Sequence, residues 1–148
     1  MQFECATNVT KGAKDIAYSS LSKIASGGEL SRFMLAMKVA LSGNNISTII
    51  FDEIDTGTGG AVADAIGKRL AALGKNSQVL VVTHLPQVAA RGSQHLLIKK
   101  QEKNKKIITQ VTELVGEQRE EELARMLAGE VITSEARKAA QKLLEHAA

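Results

Sequence analysis

The 148-residue chain has no tryptophan, one tyrosine, three phenylalanines, one proline and one cysteine. With 3% aromatics it has little on which to stack bases, which argues against an aromatic platform for single-stranded nucleic acid. A lone Cys5 has no second thiol for an intrachain disulfide, which suits a reducing, cytoplasmic setting. Cys5 itself reads as a small strand residue rather than a reactive thiol. No apolar run approaches the length of a membrane span, and no charged-then-apolar leader opens the chain. A net charge of +3 is too small to announce a dedicated nucleic-acid binder. A GxxxxGK[ST] phosphate loop is also missing. The only Gly-Lys pairs, at 67–68 and 74–75, have neither the upstream glycine nor the downstream hydroxyl. Coiled-coil heptads are absent too.

What is present describes a globular domain. Apolar residues make up 44% and charged residues 24%, enough for one domain with a real core. "MQFECATN" reads as a strand, followed by a polar loop, "VTKGAKD". A helix from about Glu29 to Leu41 sets Leu30, Phe33, Met34, Met37 and Leu41 on one face, with Gly43 as its C-terminal cap. "STIIFDE" and "SQVLVVTH" are short strands, apolar on both faces as in covered parallel sheets, with a helix from about Gly60 to Leu73 between them. That unit implies a right-handed parallel crossover. "QHLLIKK" and "KIITQVTEL" suggest a hairpin around the turn "QEKNKK". Helices at about Glu117–Leu127, ended by Gly129, and about Ser134–Ala147 close the chain. Their apolar faces (Leu123, Met126, Leu127; Ala140, Leu143, Leu144) are expected to pack against the sheet or against a lobe outside this chain. There is no internal repeat or long linker, so residues 1–148 read as a single domain.

Four stretches at loop positions of this α/β plan carry chemistry. In "ASGGE", Ser26 is a good N-cap, and Gly27 and Gly28 leave the first helical amides uncovered before Glu29. Bare amides at the positive end of a helix dipole suit a phosphate, although a plain cap has the same pattern. In "IIFDEID", Asp52 and Glu53 leave an apolar strand side by side, at the sheet edge where α/β proteins bind ligands. Adjacent strand side chains point opposite ways, so one carboxylate can hold a hard cation while the other activates water. A solvated acidic turn is the alternative. In "DTGTGG", Gly57, Gly59 and Gly60 form either a loop that admits another backbone or a simple strand-to-helix turn. In "VVTHLPQVAARG", Pro86 starts a short helix, and His84 projects at the same edge as Glu53, within reach of a phosphate oxygen. Finally, "KKQEKNKK" (99–106) holds five lysines and one glutamate; it fits a solvated hairpin tip better than a DNA-phosphate contact.

In order and spacing these stretches resemble the signature motif, Walker B, D-loop and switch histidine of ATP-binding-cassette ATPases. Ser26 precedes Asp52 by 26 residues, and Asp52 precedes His84 by 32. "KIASGGELSR", "FDEIDTGTGG" and "THLPQVAARGSQH" resemble most closely the RecN family within the SMC-like repair ATPases, over essentially the whole chain. Ala25, where transporters usually have leucine, and Gly59, where their D-loop usually ends in aspartate, agree with that family.

The resemblance implies the C-terminal lobe of an ABC/SMC-type ATPase head, with the N-terminal lobe and coiled coil lying elsewhere. It implies that Ser26, Gly27, Gly28 and Glu29 meet the γ-phosphate of ATP on a partner head. Asp52 would hold Mg²⁺ through water, Glu53 would polarise the attacking water, and His84 would contact the γ-phosphate in its own head. Asp55 and Gly57 would touch the opposite protomer. The implied cofactors are ATP and Mg²⁺. The implied partners are the N-terminal lobe, a second head in an ATP-dependent homodimer, and DNA during double-strand-break repair, with no membrane. The isolated chain is expected to be inactive as an ATPase. Two rival readings are a transporter-cassette fragment and a non-catalytic module of the same fold; intact Asp52, Glu53 and His84 speak against the second.

Overall fold

The apolar run Ile49–Phe51 before Asp52 and its counterpart Val79–Val82 before Thr83 pair as the centre of the molecule. In the computed structural model, which describes residues 4–5, 19–20, 33, 35–37, 48–52, 54–55, 57–103 and 106–147, they form strands β3 (Thr48–Asp52) and β4 (Gln78–Val82). The pairing is parallel, in a register running from Thr48 opposite Gln78 to Asp52 opposite Val82. Helix α1 (Gly60–Leu73) joins them, as its sequence predicts. Its buried residues Ala63, Ile66, Gly67, Leu70 and Leu73 recur at helical spacing and make one stripe. That stripe packs with Ile49, Phe51, Ile54, Leu35 and Val88 in the main core.

Burial of the two strands differs from expectation. Ile49 and Phe51 point into the core, but Ile50, on the other face, is 62% exposed, and Leu80 and Val82 are exposed with it. Successive strand side chains point to opposite faces, and α1 covers only one of them. The helix before β3 is described only at Phe33 and Leu35–Met37, all helical. There Leu35, which the expected apolar face omits, is the buried residue, while Phe33 and Met37 are half-buried. Leu30, Met34, Leu41, Gly43 and the loop 9–15 lie outside the described residues.

At the start of the chain, β1 (Glu4–Cys5) pairs antiparallel with β2 (Ser19–Ser20), a partner not foreseen. After β4, a one-turn helix α2 (Pro86–Ala89) begins at Pro86, where a missing N–H costs nothing. Gly67 lets α1 and α2 approach closely: a Cβ there would stand 3.1 Å from the Gln87 carbonyl oxygen.

Strands β5 (His95–Lys103) and β6 (Lys106–Leu114) form the expected hairpin; β6 matches its expected bounds, and β5 runs three residues further into the charged turn than the sequence suggested. Leu96 and Ile98, with Val111 and Ile107 across the ladder, make an exposed apolar face.

Helices α3 (Glu117–Ala128) and α4 (Ser134–Glu145) follow. Gly129, at φ +81°, ends α3 in a conformation that favours glycine. The hydroxyl of Thr133 accepts the Ala136 N–H and caps α4. The apolar faces of these helices pack on each other through Leu123, Ala124, Ala136 and Ala140, with Ala90 joining them from the end of α2. Within this chain the two helices therefore pack on each other rather than on the sheet: small alanine side chains let them close on one another. Arg119 fastens α3 to the turn after α2, its Nη2 donating to the carbonyls of Ala90 (2.8 Å) and Gly92 (2.5 Å). The fold is α/β, a parallel strand–helix–strand core followed by a β-hairpin and two C-terminal helices.

Candidate functional site

Parallel pairing brings the carboxyl ends of β3 and β4 to one edge, so Asp52 and the residues just after Val82 are neighbours by register. Asp52 ends β3 with its side chain on the exposed side. Glu53, the expected base, and Ser26, Gly27, Gly28 and Glu29 lie outside the described residues. The described part of the site therefore consists of Asp52, Asp55, the glycine loop and the Thr83–Leu85 turn.

The Asp55 side chain is wholly buried within this chain. One carboxylate oxygen, Oδ2, accepts the hydroxyl hydrogen of Thr83. That hydroxyl in turn accepts the N–H of Leu85 at 3.0 Å, so both residues flanking His84 are tied to the same carboxylate. The other oxygen, Oδ1, is buried without a hydrogen-bond partner among the described residues, and His84 Nδ1 stands 3.7 Å from it. The imidazole of His84 is itself 70% exposed. A side chain that bridges a buried carboxylate and open solvent can present one nitrogen inward and the other outward. Asp55 is thus described by what it holds within this chain. A string of four residues with three acids does not say which carboxylate turns inward, and Thr83, unremarked in the sequence, carries only the weak signal of a hydroxyl before a strand-end histidine.

The Asp55 carbonyl receives both the Thr58 N–H (3.1 Å) and the Thr58 hydroxyl (2.7 Å), closing a tight turn before α1. Gly57 takes φ +70° in that turn, which a side chain would strain. Among the described residues, a Cβ at Gly57, Gly59 or Gly60 would meet nothing within 4 Å, so this loop presents open backbone to them.

Magnesium can be tested against the donor set. It keeps several waters and binds through one or two carboxylates plus phosphates rather than an all-protein cage. No cluster of three or more His, Cys, Asp or Glu side chains occurs among the described residues. An exposed Asp52 at the strand end fits water-mediated contact with such an ion. No described helix is long and apolar enough to cross a membrane. Away from this edge, Lys99, Lys100 and Lys106 are exposed along the hairpin, as a solvated charged end would be.

No family model matches the chain. Curated relatives do. DNA repair protein RecN of Rickettsia felis is 47% identical over 143 residues, which is 96% of this chain and 25% of that protein. RecN of Xylella fastidiosa is 52% identical over 126 residues, 84% of this chain and 23% of that protein. RecN of Halalkalibacterium halodurans is 42% identical over 146 residues, 98% of this chain and 25% of that protein. A solved structure from work on ATP-driven dimerization and DNA-stimulated activation of SMC ATPases superposes with a TM-score of 0.48 at 22% identity, covering 78% of this chain and 69% of that one. The chain spans about a quarter of the length of the curated relatives it matches. Matched along most of its length at 42–52% identity, the chain belongs to the RecN family, as a segment about a quarter the length of those proteins.

Proposed function

We propose that this chain is one domain, the C-terminal lobe of a RecN-type ATPase head, which closes onto ATP together with an N-terminal lobe and a second head during DNA double-strand-break repair. The observation that carries this reading is the edge where Asp52, the buried Asp55 and His84 meet at the carboxyl ends of two parallel strands in register. Similarity to repair proteins favours it over a transporter cassette.

In this reading Glu53, next along the chain from Asp52, takes the proton of the attacking water as general base. Asp52 holds the waters around Mg²⁺, which when bound neutralises charge on the phosphates. His84 donates from its outer nitrogen to a γ-phosphate oxygen. Ser26, Gly27, Gly28 and Glu29 offer a bare helix start to the nucleotide of the opposite head, because backbone amides reach a phosphate only where no Cβ intervenes. The open Gly57 loop faces the opposite protomer. The phosphate loop that cradles the β- and γ-phosphates comes from the N-terminal lobe.

The test is Glu53→Gln in the complete protein. The amide keeps the shape and cannot take a proton, so ATP hydrolysis should fall by roughly 10²–10⁴-fold while ATP binding persists. Collapse of nucleotide affinity instead would make Glu53 a ligand rather than a base.

A further inference from the structure

We propose that Asp55 is a positioning residue for His84, holding its imidazole with a proton on Nδ1 so that Nε2 is the nitrogen offered at the strand ends. The inference rests on reading His84 as the group that faces a phosphate.

Both oxygens of Asp55 address the same short turn. Oδ2, through the Thr83 hydroxyl and the Leu85 N–H, fixes the backbone on either side of His84. Oδ1 faces the side chain between them, with Nδ1 at 3.7 Å. That oxygen is buried and has no hydrogen-bond partner among the described residues, and a buried carboxylate oxygen calls for a donor. The His84 imidazole faces it at 3.7 Å, and catalytic contacts are often long before a ligand tightens them.

The tautomer follows from the atoms. Only a ring with hydrogen on Nδ1 can donate to Oδ1; the other tautomer sets one lone pair against another. With Nδ1 engaged, Nε2 lies on the far side of the ring, where the side chain is open to solvent. When the ring carries two protons, Nδ1–H still donates to Asp55 and Nε2–H is free to donate to a phosphate oxygen. In both states the carboxylate keeps the ring facing the same way, as second partners of metal-bound and catalytic histidines do.

Nitrogen-15 chemical shifts of the His84 ring, read by long-range proton–nitrogen correlation on this chain at a pH where the ring is neutral, test the proposal without any turnover. The Nδ1–H form should dominate. A ring found mainly as the Nε2–H form overturns the proposal with no substitution made. Asp55→Asn keeps the shape and can still accept from Thr83, but its amide turned toward Nδ1 is a donor, so the ring should switch to the Nε2–H form. Unchanged shifts in Asp55→Asn overturn the proposal. Thr83→Val removes the backbone tie and leaves Oδ1 in place, so it should keep the Nδ1–H form; a switch there equal to that of Asp55→Asn would mean that Asp55 acts only through the backbone. In the complete protein, Asp55→Asn should lower kcat for ATP by about 10–100-fold with KM little changed. Adding His84→Ala to it should then cost little more, because the two act as one unit. If His84→Ala leaves turnover intact while the ring shifts behave as stated, the phosphate role of His84 fails and the positioning relationship stands.

Discussion

Thr83 stands between Asp55 and Leu85, its hydroxyl donating to the buried carboxylate and accepting the Leu85 N–H at 3.0 Å. One side chain thereby joins the turn after β3 to the turn after β4. Thr83→Val keeps the volume and removes both bonds, leaving a buried carboxylate oxygen without its donor. Leaving such a group unsatisfied costs about 1–3 kcal/mol, more when it is charged. The urea midpoint of Thr83→Val should drop accordingly, and Thr83→Ser should stay near the unmodified chain. A valine variant as stable as threonine would show that the hydroxyl is not what holds these turns together.

Gly67 marks where α1 and α2 touch. A Cβ there would meet the Gln87 carbonyl oxygen at 3.1 Å, the Arg91 Cγ at 3.2 Å and the Val88 Cα at 3.4 Å. Gly67→Ala gains about 1 kcal/mol of helix propensity, which the crowding should offset, so its stability should lie near that of the unmodified chain. Gly67→Val adds two methyl groups more than alanine does against backbone and should cost about 1–3 kcal/mol. Thermal unfolding followed by circular dichroism compares the two. Equal stability of the valine variant would mean that the helices are not in contact at this point.

The half-buried His95, at the start of β5, titrates below the ordinary imidazole value of 6.5 because burial disfavours its charge, with the nearby Arg119 adding to this and Glu122 opposing it. The unfolded chain therefore binds this proton at a higher pH than the folded chain, and stability must fall as pH drops through about 6.5, levelling once the folded ring is also charged. His95→Gln should flatten the stability profile between about pH 7.5 and about pH 5.5. The carboxylates act in a lower window. Asp64, hydrogen-bonded to Lys68 and Arg91, and Glu121, hydrogen-bonded to Arg137, titrate below their ordinary values of 3.8 and 4.5. Their contribution is present above those values and is lost as pH falls through the lowered ones. An unchanged slope above pH ~5.5 in His95→Gln would remove His95 as its source.

Periodicity made α1 legible from Gly60 to Leu73, because Ala63, Ile66, Leu70 and Leu73 recur at helical spacing between glycines. Pro86 announced α2, and the alternating runs on either side of a charged turn announced the β5–β6 hairpin. One-sided burial of β3 and β4 was not legible: a run such as "TIIF" is the same whether one face or two are covered, and Ile50 is open. Two-residue strands carry no period, so the pairing of Glu4–Cys5 with Ser19–Ser20 could not be read either. The faces of α3 and α4 were visible as apolar stripes, but a stripe does not name its partner, and alanines at 124, 136 and 140 chose each other. At the site, the sequence puts Asp52 at the end of one strand and His84 just after another, and the parallel register brings those two strand ends to one edge. That Asp55 turns inward to Thr83 depends on which carboxylate finds a buried donor, a property of the folded turn.

ATP turnover by this chain, alone and mixed with an N-terminal lobe carrying a phosphate loop, bears most directly on the proposed role as half of an ATPase head. Alone, the chain lacks the lysine and amides that cradle the β- and γ-phosphates, so it should not hydrolyse ATP. With the lobe added, hydrolysis should appear, and Gly28→Asp, which sets negative charge against a phosphate at the helix start, should abolish it while sparing nucleotide binding by a single head. Turnover by the purified chain alone, or a Gly28→Asp mixture as active as the unmodified one, would contradict that role.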